Sequence, residues 1–385
     1  MNDNEHIPAF SVIGGPLNKL GLRLGLVRKG ADSTRFGIVL GLFVWLMLFI
    51  LSIAEGKVSN FFSSGVIGGH VRFLAAVPLF FICETFVLPQ MQAFVNYLVQ
   101  SGLVVEEEQS KLSAIIHRIN RVKNSWIVEG VLFLLMFVLA NTSIFPNNST
   151  SAAYIIKKAG GHVTITNAFY LWFCLPLFRF LLLRWVWHLT IWWYFLYRIQ
   201  QLNLRLIPTH SDGAAGLGYL GVVQEYFTPL AAAFSAIIAA SSVEEIITGA
   251  LPFESLYYVI PLALVLNLFF FAGPLFIFFS KLKHCRVEGL KNYMIMATRY
   301  VDAFDKRWIR DKNATGESQL GSGDIQSLAD LTNSLKTINE MRSLPVSNKL
   351  FLSIAISAIL PFLPLFFIKF NLNELIALLF KLLTG

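Results

Sequence analysis

Charge is what this sequence has little of. Only 14% of its 385 residues are charged, where a soluble domain carries about 25%. That shortage excludes an ordinary water-soluble enzyme. Cysteine is equally scarce. Cys83, Cys174 and Cys285 form neither a disulfide framework nor a CxxC metal signature, which excludes a secreted disulfide scaffold. A cleavable leader is not expected either, because the chain is polar through Arg35. The first apolar run is therefore expected to stay as an anchor.

What the chain does contain is apolar surface. Hydrophobic residues make up 55%, phenylalanine alone occurs 35 times, and the mean hydropathy is +0.62. A disordered chain is excluded on the same numbers. The expected class is an all-α polytopic membrane protein, with about seven transmembrane helices and a small cytoplasmic helical cap. A span needs roughly 20 mostly apolar residues. Runs of that kind cover residues 36–54, 70–88, 125–139 (extendable to 144), 167–197, 226–247, 257–280 and 349–368. A last apolar piece, 375–383, is too short to cross and reads as an interfacial helix, with Glu374 and Lys381 on its polar side.

The net charge of +8 is read as membrane orientation rather than as nucleic-acid binding, because Lys and Arg collect in cytoplasmic loops. The N-terminal tail and the second, fourth and sixth loops are basic, and loop 281–347 alone holds eleven Lys or Arg. The intervening loops hold Lys57, Lys157 and Lys158. The N-terminus is thus expected in the cytoplasm and the C-terminus outside, in a bacterial inner membrane. The organisation follows: a tail (1–35), two spans (36–88), an amphipathic helix (89–124), four spans with a Gly-rich loop at 207–221 (125–280), a helical hairpin (281–347), and a last span with an interfacial helix (348–385). Asn141, Asn147, Asn148 and Asn313 head glycosylation triplets, which are common by chance.

Two of the basic loops show helical stripes. Leu112, Ile115, Ile116, Ile119 and Val122 recur in one. Leu290, Tyr293, Met294, Ala297, Val301, Phe304 and Trp308, then Ile325, Leu328, Leu331, Leu335 and Ile338, recur in the other. Pro-Leu-Phe occurs at Pro78, Pro176, Pro274 and Pro364, the first three spaced by 98 residues. Abundant Phe and Leu account for that echo, and each proline marks a kink.

Ionisable groups at membrane depth are costly and usually face protein or water. Glu84 on the second span, and Arg179, Arg184 and His188 on the fourth, are the candidates for an ion pathway or a buried ion pair. At about 1.5 Å per residue, Glu84 lies roughly 21 Å below His70, while Arg179 and Arg184 lie roughly 18 and 25 Å below Asn167. Glu84 is therefore expected to meet Arg179 or Arg184. The competing reading lets Arg184 and His188 snorkel to the inner interface, beside an aromatic belt of Trp185, Trp187, Trp192, Trp193, Tyr194 and Tyr197. Arg72 is placed at the outer interface. The fifth span is rich in Ala and Ser, which suits close packing, with a pore-lining role as the alternative. It ends in Glu244 and Glu245, candidates for an outer mouth.

The stretch from Thr209 to Gly221 holds His210, Asp212, Gly213, Gly216 and Gly218. Its backbone N–H groups could receive an anion or act in gating, and His210 with Asp212 could serve acid–base chemistry. No strand precedes it and no Walker lysine follows. A tight turn in which Ser211 or Asp212 caps a short helix is the competing reading. No motif calls for a cofactor or a metal. The expected partners are the lipid bilayer, a small ion, and a second copy or another membrane subunit. The leading function is a channel or transporter for a small ion, with an anion favoured. The alternatives are a sensor or assembly subunit working through its cytoplasmic helices, and a membrane enzyme using His210 and Asp212.

Overall fold

A computed structural model of the chain describes residues 8–12, 14, 21–23, 25, 33–123, 126–141, 164–310 and 323–369. Most of the N-terminal tail, the 375–383 segment with Glu374 and Lys381, Lys157, Lys158 and the triplets at Asn147, Asn148 and Asn313 lie outside the described residues. Among the described residues the regular secondary structure is helical, with no strand beyond one isolated bridge pairing Val104 with Leu204.

Six helices are long and apolar enough to cross a membrane. They are α1 (Thr34–Ala54), α2 (Ile67–Gln100), α5 (Ile165–Gln201), α7 (Thr228–Ile247), α8 (Phe253–Arg310) and α10 (Asn348–Phe367). Between them lie α3 (Glu106–Lys123), α4 (Trp126–Asn141), α6 (Gly218–Glu225) and α9 (Gly323–Asn339). Where a seventh span was expected, α4 has 16 residues, about 24 Å at 1.5 Å per residue, and falls short of a crossing over its described length.

Contacts at the helix ends show which ends of the spans share a face. The bridge between Val104 and Leu204 joins the end of α2 to that of α5. Arg342, just before α10, donates its backbone N–H to Gly213 O. At the other end Glu55, after α1, accepts from Thr166 N at the start of α5, and the rings of Phe253 and Phe366 meet. One end of the bundle therefore gathers the 202–217 loop, α3 and the α8–α9 hairpin, with nearly all the Lys and Arg of the described loops. We call it the basic face.

α2 and α5 form the axis of the molecule. They run side by side in one direction with a constant offset: Arg72 on Tyr170, Phe80 on Phe178 and Phe94 on Trp192 are each 98 residues apart. Each helix opens into a π turn at matching height, Arg72–Ala76 and Tyr170–Cys174. Proline explains both. It lacks an N–H, and its ring presses on the carbonyl four residues back. For Pro78 that carbonyl belongs to Leu74 and for Pro176 to Trp172, each inside its π turn. The Pro-Leu-Phe echo between these two helices thus has a shared local structure. Pro274 instead sits in a 3-10 turn, Gly273–Phe278.

The small residues of α7 let it pack against α2, α8 and α10. Ala231, Ala233, Ser235, Ala239 and Ser242 are buried there, as the close-packing reading expects. On the basic face α2 and α5 run past the ends of α1 and α7. Their apolar sides are covered by Leu112, Ile115, Ile116 and Ile119 of α3 and by Phe10, which stacks on Phe195 at 4.1 Å. The second stripe is split. Leu331 and Ile338 of α9 are buried, whereas Ile325 of α9 and Met294 and Val301 of α8 stay exposed, as does Val287 one turn before the stripe.

Candidate functional site

Glu84 and Arg184 meet between α2 and α5. Arg184 Nη1 donates to Glu84 Oε1, with side-chain exposures of 2% and 4%. The second carboxylate oxygen accepts from Ser33 Oγ at 3.3 Å. The offset of 100 residues is that of the paired helices plus two, so the contact follows from their parallel course. Arg179, five residues earlier on α5, is half-buried and lies in the electrostatic neighbourhood of Arg72 and Tyr170 instead.

The height of this pair is set by its neighbours. Ser33 immediately precedes α1, and its backbone N–H donates to Thr85 Oγ1 at 3.0 Å. Cys83 Sγ donates to the carbonyl of Tyr226, two residues before α7, at 3.6 Å. Glu84 therefore lies level with the starts of α1 and α7. The 21 residues of α1 span about 31 Å, which matches a hydrocarbon core of about 30 Å. The pair sits at the boundary of that slab on the basic face, enclosed by protein.

His188 follows one turn below. It is 4% exposed and does not snorkel, and its Nδ1 has no hydrogen-bond partner among the described residues. Trp185 is 1% exposed, its Nε1 also lacks a partner, and its ring stands edge-on to the imidazole at 5.6 Å. The aromatic belt divides accordingly: Trp185 and Trp192 are core, while Tyr194 and Tyr197 remain exposed. The charges acting on the His188 ring are Arg184 and Lys123. Lys123 is the last residue of α3, and burial pushes its ammonium down to about 8. Sequence reasoning missed it, because only the packing of α3 on α5 brings it here.

A second buried polar cluster lies toward the opposite face. Arg72, expected at the interface, is 7% exposed and donates to Tyr170 OH. Its guanidinium also stands over the Phe178 ring of α5, 6.0 Å from the centroid. Glu244 is fully buried and accepts from Gly68 N at 2.7 Å. A Cβ at Gly68 would stand 2.7 Å from the same oxygen, so glycine is what lets the carboxylate approach. Glu245 is partly exposed, so the two glutamates face different surroundings.

The glycine-rich loop is closed around its own carboxylate. Asp212 Oδ1 accepts from Ala214 N at 2.8 Å and Gly216 N at 3.1 Å, and Oδ2 accepts from Gly218 N at 2.7 Å. Burial alone would raise this carboxyl, but the three N–H groups and neighbouring His210 hold it below its usual 3.8. His210 Nδ1 stands 2.9 Å from Oδ1. Gly213 and Gly216 take φ of +63° and +98°, which glycine tolerates. Arg342 Nη2 donates to Asp212 O at 2.7 Å, and Tyr97 OH to Gly216 O at 2.9 Å. The N–H groups that the sequence offered to an anion thus hold Asp212, and the loop ties α2, α5, α6 and the entry to α10 together.

Beside that loop lies a cleft of about 730 Å³, lined among others by Asn203, Lys281, His284, Cys285, Glu288 and Tyr293. His284 and Glu288, 3.3 Å apart, make two potential ligands. Among the described residues no group of three or more His, Cys, Asp or Glu could hold a metal ion. The chemistry most clearly available is therefore that of the buried groups Glu84, Arg184 and His188, with partly buried Lys123 beside them. No protein-family model, no curated protein and no solved structure matches the chain.

Proposed function

We propose that this protein is a membrane transporter or channel for a small ion, and that Glu84, Arg184 and His188 act on that ion. The observation that carries the reading is the ion pair itself, exposed to only 2% and 4% at the edge of the apolar slab, with a buried histidine one turn away whose Nδ1 has no partner among the described residues. A pair that only fixed helix register would not need that histidine. The excess of cations around the ring favours an anion. Orientation follows from charge: the basic face belongs in the cytoplasm, of a bacterial inner membrane, and α4 completes a seventh crossing. The Asp212 loop couples the helix ends on that face.

Purified protein in liposomes carrying an anion gradient tests this. The wild type is expected to dissipate the gradient, and Arg184→Gln to lose that activity while remaining folded. Wild-type liposomes as tight as empty ones would overturn the reading.

A second reading rests on Val287, Met294 and Val301, which leave an apolar stripe exposed on α8. It makes the α8–α9 hairpin an assembly surface, for a second copy or another membrane subunit, in a protein that transports nothing. Tight liposomes together with a stable complex lost in Met294→Glu would favour it.

A further inference from the structure

We infer that a small anion, a halide or an oxyanion of similar size, binds between Lys123, His188 and Arg184. This rests on the ion-handling reading and adds the sign and the seat of the ion.

Three observations converge. A histidine ring always carries at least one N–H, yet His188 is 4% exposed with Nδ1 unbonded. Indole nitrogen is a donor only, and Trp185 Nε1 is likewise buried and unbonded, on a ring edge-on to the imidazole. Buried polar groups are normally hydrogen-bonded, and an exception calls for an explanation such as an ion. The third observation is charge. Arg184 is matched by Glu84, while partly buried Lys123 has no carboxylate partner among the described residues. Among the described residues one positive charge is left over beside two buried ring nitrogens without partners, His188 Nδ1 and Trp185 Nε1, which is the complement of a single negative charge. The enclosing residues Trp185, Arg184 and His188 are 1–4% exposed, so the ligand is small.

Among the described residues the charges acting on His188 of α5 are Arg184 of the same helix and Lys123 of α3, and Glu84 of α2 is paired with Arg184. An anion favours the charged ammonium, and Lys123 titrates at about 8. Binding is therefore stronger below that pH and weakens above it.

Thermal unfolding of the detergent-purified protein, in chloride, bromide, phosphate or gluconate salts at equal ionic strength, tests the site. Chloride and bromide are expected to raise Tm over gluconate, and phosphate to do so if an oxyanion fits. The rise should shrink at pH 9. Lys123→Gln, at a helix end, and His188→Gln should each weaken anion binding at least about tenfold, the loss of one charge-assisted bond. Bromide should give an anomalous peak between Lys123 and His188. No difference from gluconate, or a difference unchanged in both variants, would overturn the site. Halide binding in a protein that moves no ions defeats only the transport reading. Ion flux without halide-dependent Tm defeats only the site.

Discussion

At the scale of single residues, two carboxylates do different work. Glu84 neutralises a guanidinium taken out of water. Removing one member of such a pair leaves an uncompensated buried charge, which typically destabilises by about 3–5 kcal/mol. Glu84→Gln is therefore expected to lower Tm strongly, whereas Glu84→Gln combined with Arg184→Met should recover part of the loss. A single variant as stable as the wild type would mean that Arg184 finds water. Asp212 instead organises backbone. Its carboxyl is held below 3.8, so the unfolded loop binds a proton more readily than the folded one. Its contribution is full above about pH 4 and fades as pH falls through the lowered value. Asp212→Asn should remove that acid-side dependence and, by leaving donors poorly met, destabilise the loop by on the order of 2 kcal/mol. Amide exchange at Ala214, Gly216 and Gly218 reads this directly, and unaltered protection would contradict it.

At the scale of elements, much of the secondary structure is legible in the sequence, for plain reasons. Spans announce themselves because lipid tolerates only apolar side chains, and the stripe of α3 because burial on a helix repeats every 3.6 residues. The site is legible only in part. Helix-length arithmetic brings Glu84 between the heights of Arg179 and Arg184, and it holds because both helices run in one direction and each carries a π turn at matching height. It could not foresee Lys123 beside His188, Gly68 beneath Glu244 or Ser33 on Glu84, because each joins elements through tertiary packing. The two π turns were hidden as well. Their prolines were visible, but a proline alone does not say whether its helix kinks or widens. Glycine 289 shows how such a junction is tested. A Cβ there would come 2.6 Å from Pro208 Cβ, so Gly289 lets α8 lie against the loop. Gly289→Leu should lift the hairpin and speed amide exchange across α9 while the spans keep their protection. Unchanged exchange in α9 would show that the close approach is dispensable.

At the scale of the whole molecule, the basic face is the organising feature. Helix ends, the Asp212 loop and the hairpin meet there, and the charge cluster lies just above them at the edge of the slab. If the positive-inside rule places this face in the cytoplasm, a cysteine introduced at Asn292 should react with a membrane-impermeant thiol reagent only in opened cells. One at Gly249, at the other end of α7, should react in intact cells. The reverse pattern would invert the topology and with it the side from which an ion reaches Arg184.

The claim on which this account turns is that Glu84 and Arg184 act on an ion rather than merely join two helices. The most direct measurement is anion flux through liposomes containing the charge-swapped protein, Glu84→Arg with Arg184→Glu, alongside the wild type and with thermal unfolding to establish that both are folded. A pair that acts on the ion predicts wild-type flux and a folded, inactive swap. Equal flux from the two proteins would contradict it.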